Sequence, residues 1–156
     1  MASIGLWFGK FEFNASVYYM VRWIGFQTKG YNVIETAGKI LPVVTFVAVI
    51  FLTFLRKNGA MQSLIESMLF GISVYLLLST TVHPWYLAIP LLLSVFTQFR
   101  FMLAWCLLVI LSYSAYSNAQ YDENLWLVAL EYMVVIGYFL YELLLQKNSK
   151  PLDRAY

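Results

Sequence analysis

The sequence predicts an all-α, polytopic membrane helical bundle, with about five hydrophobic helices preceded by an amphipathic interfacial helix. Three observations carry this expectation. Charged residues make up only 12% of the 156-residue chain, against the ~25% usual in a soluble domain. The deficit is gathered into long runs. Residues 40–55, 67–99 and 101–121 hold no Asp, Glu, Lys or Arg, and 125–145 holds only Glu131 and Glu142. Such runs suit spanning helices, which need ~20 mostly apolar residues at about 1.5 Å rise each.

Residues 1–36 form the first unit, on the outer face. Over 13–26, Phe13, Val17, Met20, Val21 and Ile24 fall on one stripe at helical spacing. Asn14, Tyr18, Arg22 and Gly25 form a neighbouring stripe. This predicts an amphipathic helix lying in the membrane interface or across the outer ends of the bundle. Lys10, Glu12 and Arg22 argue against a span in so short a window. Asn14-Ala15-Ser16 matches a glycosylation sequon, but Asn14 and Ser16 suit a helix start equally well.

The bundle occupies 37–146, with helices expected at 37–55, 64–82, 85–97, 101–118 and 125–145. The run 67–99 is too long for one span, and His83-Pro84 sits at its middle. Proline removes a donor and restricts its predecessor, so two helices should meet there. The second is short. Arg56 and Lys57, Arg100, and then Lys147, Lys150 and Arg154 follow alternate spans, which places those connections in the cytoplasm. His83 and the N-terminal segment then face outward, and residues 147–156 are a short cytoplasmic tail. Trp85, Tyr86, Tyr113, Tyr116 and Trp126 fall at expected outer helix ends, where amphipathic rings favour the headgroup zone.

The positive residues are scattered, so the net charge of +2 gives no nucleic-acid surface. Cys106 can form no internal disulfide and reads as a small core residue. A cleavable signal peptide is not expected, since no basic start precedes an unbroken apolar core. One His and one Cys leave no metal constellation, and neither a phosphate-binding glycine loop nor a G-x-S-x-G elbow occurs. No cofactor is expected.

The chemistry must come from isolated polar groups. His83 before Pro84 suits a site or a plain interfacial position. Trp85 and Tyr86 suit a membrane belt as well as a ligand wall. Glu131 stands on the seventh residue of its span, about 9 Å in, where a carboxylate is costly and needs a partner or cavity; a tyrosine or Arg22 would serve. Glu142 lies near the cytoplasmic end and could snorkel, and Glu66 could be a surface residue.

Two stretches together narrow the choice. "KFEFNASVYYMVRWIGF" (10–26) and "STTVHPWYL" (79–87) resemble segments of bacterial integral-membrane glycosyltransferases of the GT-C type. The resemblance is to the mannosyltransferase-like branch that draws sugar from polyprenyl phosphates. It runs from about residue 8 to 146. It implies transfer of a mannose-like sugar from a lipid-linked donor to an acceptor hydroxyl on the outer face of a bacterial inner membrane. Such chemistry needs a cation near the donor phosphate, a carboxylate near the acceptor hydroxyl and aromatic surfaces against the sugar. Carried onto matching positions, Arg22 and His83 are candidates for the phosphate. Asn14, Tyr18, Tyr19, Trp85 and Tyr86 are candidates for sugar or acceptor contacts, and Glu12 is the candidate catalytic base.

The chain departs from that pattern in one respect. Enzymes of this type have eight or more spans and an acidic catalytic residue in the first outer loop, whereas the match begins close to Met1. The expectation is therefore a C-terminal portion, inactive alone, that works with membrane lipids around it and a separate N-terminal half. The competing expectation is a non-catalytic subunit or small transporter-like protein that uses Glu131 and His83 as an intramembrane polar pair.

Overall fold

A computed structural model describes residues 11–56, 58–117 and 122–149 of the chain. Lys57, Lys150 and Arg154, which contribute to the orientation expectation, and Lys10, which argues against an N-terminal span, lie outside the described residues. An extended segment, 11–16, leads into α1 (Val17–Lys29). α2 (Ile34–Leu55), α3 (Met61–Leu78), α4 (Ala88–Val95), α5 (Phe101–Leu108) and α6 (Leu125–Ser149) follow. A 3₁₀ turn over Pro84–Leu87 precedes α4, and α5 continues as 3₁₀ helix over Val109–Ser117.

Three of these helices, Ile34–Leu55, Met61–Leu78 and Leu125–Gln146, are long and apolar enough to cross a membrane. By length and composition this is a membrane protein. All five expected hydrophobic segments are helical, but Pro84–Val95 and Phe101–Ser117 fall short of that length. The reasons are local. Pro84 occupies the first position after His83 and starts a tight turn rather than an α-helix. Beyond Val109 the hydroxyls of Ser112 and Ser117 bond the carbonyls three residues back, at 2.6 Å each. The 3₁₀ form rises about 2 Å per residue, so Phe101–Ser117 extends about 30 Å, whereas Pro84–Val95 covers only about 20 Å.

The polypeptide runs back and forth between two ends. At one end the backbone at Phe13 pairs with the strand-like turn after α3. Phe13 N–H donates to Thr80 (3.1 Å), and Val82 N–H donates to the Phe13 carbonyl (2.8 Å). Phe13 also meets Tyr116, after α5, with ring centres 6.1 Å apart. At the other end Arg56 pairs with Glu66 at 2.8 Å and lies over the Phe70 ring. There the Glu142 carboxylate accepts the N–H groups of Arg100 (2.6 Å) and Phe101 (3.0 Å). Glu142 therefore does not snorkel. It is buried and caps α5, satisfying donors that the start of a helix leaves unpaired. Glu66, for which a surface position was left open, is a partly buried partner of Arg56.

The main core joins α3, the 3₁₀ turn, α5 and α6 through Leu69, Leu76, Leu87, Met102, Trp105 and Val135, with Leu91 and Leu93 of α4 packed against it. A smaller cluster, Ala15, Tyr18, Ala37 and Leu41, seats α1 on α2. α2 buries little else and presents Phe46, Phe51 and Phe54 outward.

One expectation for the N-terminal segment changes. The helix covers Val17–Lys29 rather than 13–26, because Phe13 is tied to the turn after α3 and Asn14 adopts a left-handed φ of 47°. The apolar stripe is divided: Phe13 is buried and Val21 packs on the small core, but Met20 and Ile24 face outward. Met20 is 67% and Ile24 52% exposed, while Tyr18 and Gly25 are buried against the protein. Polar groups find partners inside the bundle, and apolar ones face the surroundings, as suits a helix resting in lipid. Asn14 is fully buried, so the folded chain does not offer its sequon for modification.

Candidate functional site

Asn14 organises the site. Few residues other than glycine take a left-handed conformation readily, and Asn is one of them. In that conformation its backbone N–H donates to Glu123 Oε1 at 2.7 Å. Its side-chain Nδ2 donates to Glu131 Oε1 at 3.1 Å, and its carbonyl accepts the Tyr132 hydroxyl at 2.7 Å. Trp105 Nε1 donates to the same Glu131 oxygen at 3.0 Å. The partners of Glu131 are thus Asn14 and Trp105, not a tyrosine or Arg22. Fully buried, Glu131 fastens the N-terminal segment to α5 and α6. His83 lies elsewhere, among aromatic rings, so the two do not form the polar pair that a transporter-like role would use.

With residues 11–16 held in this way, a cavity of about 500 Å³ opens beside them. Phe11, Phe13, Tyr19 and Tyr116 supply aromatic wall, and Glu12, Arg22, Asp122 and Glu123 supply charge. Arg22 pairs with Glu12 Oε1, and its guanidinium stacks 4.5 Å from the centre of the Tyr19 ring. The Tyr19 hydroxyl donates to Glu123 Oε2. Burial pushes the Glu123 carboxyl above its ordinary range, while the Tyr19 and Asn14 bonds and the Arg22 charge pull it back. Burial, then the neighbouring Glu123 charge, raises the Tyr19 phenol.

Tyr18 lies just beneath the cavity. Its hydroxyl donates to Asn32 Oδ1 at 2.8 Å, and the same oxygen receives the Ile34 N–H at 3.1 Å as α2 begins. The Tyr18 phenol is raised by burial and by the nearby Glu12 carboxylate. Because its proton goes to Asn32, Glu12 Oε2 is left buried without a hydrogen-bond partner.

His83 sits on the far side of Phe11 and Phe13. It stacks on Trp85 (4.3 Å, 9° between planes) and on Phe13 (4.9 Å), with Tyr86 edge-on at 5.4 Å. Burial lowers its pKa, which favours the neutral imidazole. The fold therefore gathers Glu12, Tyr19 and Arg22 at the cavity, with Asn14 and Tyr18 buried outside its lining. His83, Trp85 and Tyr86 form an adjoining aromatic stack. Trp85, Tyr86, Tyr113, Tyr116 and Trp126 are all exposed, as an interfacial belt requires.

Sequence reasoning passed over three residues of this region: Glu123, Trp105 and Tyr132. Glu123 was legible only as an acidic loop residue. One further signal was available, its place about two helical turns before Glu131, which puts both carboxylates near one end of one helix. A second cavity of about 640 Å³ lies between α2 and α3, but no charged side chain lines it. Among the described residues, no three His, Cys, Asp or Glu are grouped to hold a metal ion. No protein-family model, no curated protein and no solved structure matches the chain.

Proposed function

We propose that this chain serves in a polyprenyl-phosphate-dependent membrane glycosyltransferase, moving a mannose-like sugar to an acceptor hydroxyl at the outer face of a bacterial inner membrane. It does so together with further membrane segments that supply the rest of the site. One observation carries the proposal. The two stretches that resemble such enzymes, 10–26 and 79–87, are far apart in sequence, yet they pair through the Phe13 backbone. Beside that pairing lies a cavity combining three carboxylates, a guanidinium and aromatic walls, a mixture suited to a sugar.

In this scheme Glu12 is the base toward the acceptor hydroxyl. Arg22 holds Glu12, and His83, stacked on Phe13, is the group nearest the donor phosphate. Trp85 and Tyr86 continue the aromatic surface. Five crossings, with Pro84–Val95 and Phe101–Ser117 completing the bundle, put all of these groups on one side, opposite Arg56 and Arg100.

The test is sugar transfer from radiolabelled polyprenyl-phosphate mannose by the full chain in lipid nanodiscs, with and without a co-expressed N-terminal membrane half. Transfer that needs Glu12 and His83 supports the proposal. Absence of transfer in both preparations, with no retention of the lipid donor by the chain, would refute it. Thiol labelling of cysteines placed at positions 22 and 83 provides a separate check, since labelling from opposite faces rules out a shared site.

A further inference from the structure

The cavity's charges determine which part of a lipid-linked sugar reaction it can accept. Three carboxylates, Glu12, Asp122 and Glu123, line it against one guanidinium. That guanidinium is already committed: Arg22 pairs with Glu12 and lies flat on Tyr19. Both oxygens of Glu123 are also engaged, one by the Asn14 N–H and one by the Tyr19 hydroxyl. Glu12 differs. A carboxylate can accept about four hydrogen bonds, and one of its oxygens is buried with no donor. Its terminal torsion is broad and roughly two-fold, so a small rotation presents acceptor capacity to a ligand. A phosphate entering here would meet carboxylates at close range with no uncommitted cation among the lining residues, whereas a hydroxyl would supply the donor that Glu12 lacks.

We propose that this cavity binds an uncharged, hydroxyl-bearing sugar group, with Glu12 as its hydrogen-bond acceptor, and that Arg22 is a positioning residue for Glu12 rather than the counter-charge of the phosphate. The aromatic walls then face the apolar side of the sugar ring, and the phosphate lies outside the cavity. The choice of a sugar rests on the glycosyl-transfer function proposed above. The charge selectivity rests on the cavity alone.

The experiment compares methyl α-mannoside with mannose 1-phosphate, bound to the full chain in nanodiscs and followed by ligand-detected NMR titration. The neutral glycoside should bind about tenfold more tightly, since like charges a few ångströms apart at a partly screened site cost at least that factor. Glu12→Gln should weaken the glycoside and narrow the preference. Arg22→Gln should weaken the glycoside without making the phosphate relatively worse by loss of a ligand. Glu66→Gln, at the opposite end, should change neither. Tighter binding of the sugar phosphate by the wild-type chain, or no binding of either compound, overturns the proposal without any variant needing to fold. If the chain prefers the neutral sugar yet transfers nothing with its partner half, glycosyl transfer fails and the cavity assignment stands. Transfer accompanied by a phosphate preference that Arg22→Gln abolishes gives the reverse.

Discussion

Asn14→Ala tests whether the N-terminal segment is held by one residue. The substitution removes the Nδ2 bond to Glu131, leaving that buried carboxylate with Trp105 as its remaining hydrogen-bond donor. Loss of such a buried bond costs about 1–3 kcal/mol. It also forces alanine into a φ of 47°, and left-handed backbone costs an ordinary L-residue roughly 1–2 kcal/mol. The expected destabilisation is the combination, about 2–5 kcal/mol. Asn14→Gly separates the two contributions, because glycine enters the left-handed region without that penalty. It should lose only the side-chain part and remain about 1 kcal/mol more stable than the alanine variant. Backbone bonds to Glu123 and Tyr132 survive in both variants. The assay is reversible unfolding in mixed micelles, read by tryptophan fluorescence. Alanine within about 0.5 kcal/mol of wild type, or glycine less stable than alanine, would refute the reasoning.

Three other outcomes follow from the packing and the titrating groups. Glu142→Ala should strip the acceptor from the Arg100 and Phe101 amides, cost about 2–4 kcal/mol and speed hydrogen exchange at those two amides more than elsewhere in α5. Gly25→Ala should push α1 from its seat, since a Cβ there would meet Val33 Cγ2 at 2.6 Å; in the double variant with Val33→Ala, a double-mutant cycle should recover most of the loss. For pH, the two shifted groups act in opposite directions. The lowered pKa of His83 means the unfolded chain protonates first, so stability falls as pH drops from 6.5 to the folded value, and His83→Phe should remove that slope. The raised pKa of Glu123 means the folded chain protonates first, so stability rises as pH drops from the folded value toward 4.5, and Glu123→Gln should flatten that rise. Thermal midpoints measured across both windows check the pair.

Much of the architecture was legible because the bilayer sets length and composition together. The apolar runs located the long helices, and His83-Pro84 marked the break before α4. The 3₁₀ stretch after Val109 was not legible, because "VILSYSAYS" is as apolar and uninterrupted as a neighbouring α-helix. Only its spaced serines, bonding back three residues, distinguish it. The site was legible in its residue types but not in its pairings. Asn14 and Glu131 lie 117 positions apart, and no local periodicity connects them. Glu142 misled for a related reason. A carboxylate near a helix end reads as solvent-seeking until the neighbouring helix start, with its unpaired amides, is placed beside it.

The orientation of α1 has the widest consequence. In water the apolar stripe of an amphipathic helix is the one that packs, whereas a helix lying in the membrane interface turns it to the lipid, as Met20 and Ile24 do here. Where the surroundings are lipid, apolar side chains gain nothing by leaving them, and polar groups gain most by finding partners. Tyr18 and Arg22, and Asn14 just before the helix, accordingly turn inward to Asn32, Glu12 and Glu131. The same preference predicts the effect of reversing it. Converting Met20 and Ile24 to glutamine should leave the folded core intact, because neither side chain is buried, while weakening the hold of α1 on the membrane. Reduced protection of 17–29 from protease in liposomes, with an unchanged unfolding midpoint in micelles, is the expected result. An equal loss of midpoint would mean that those side chains pack against protein after all.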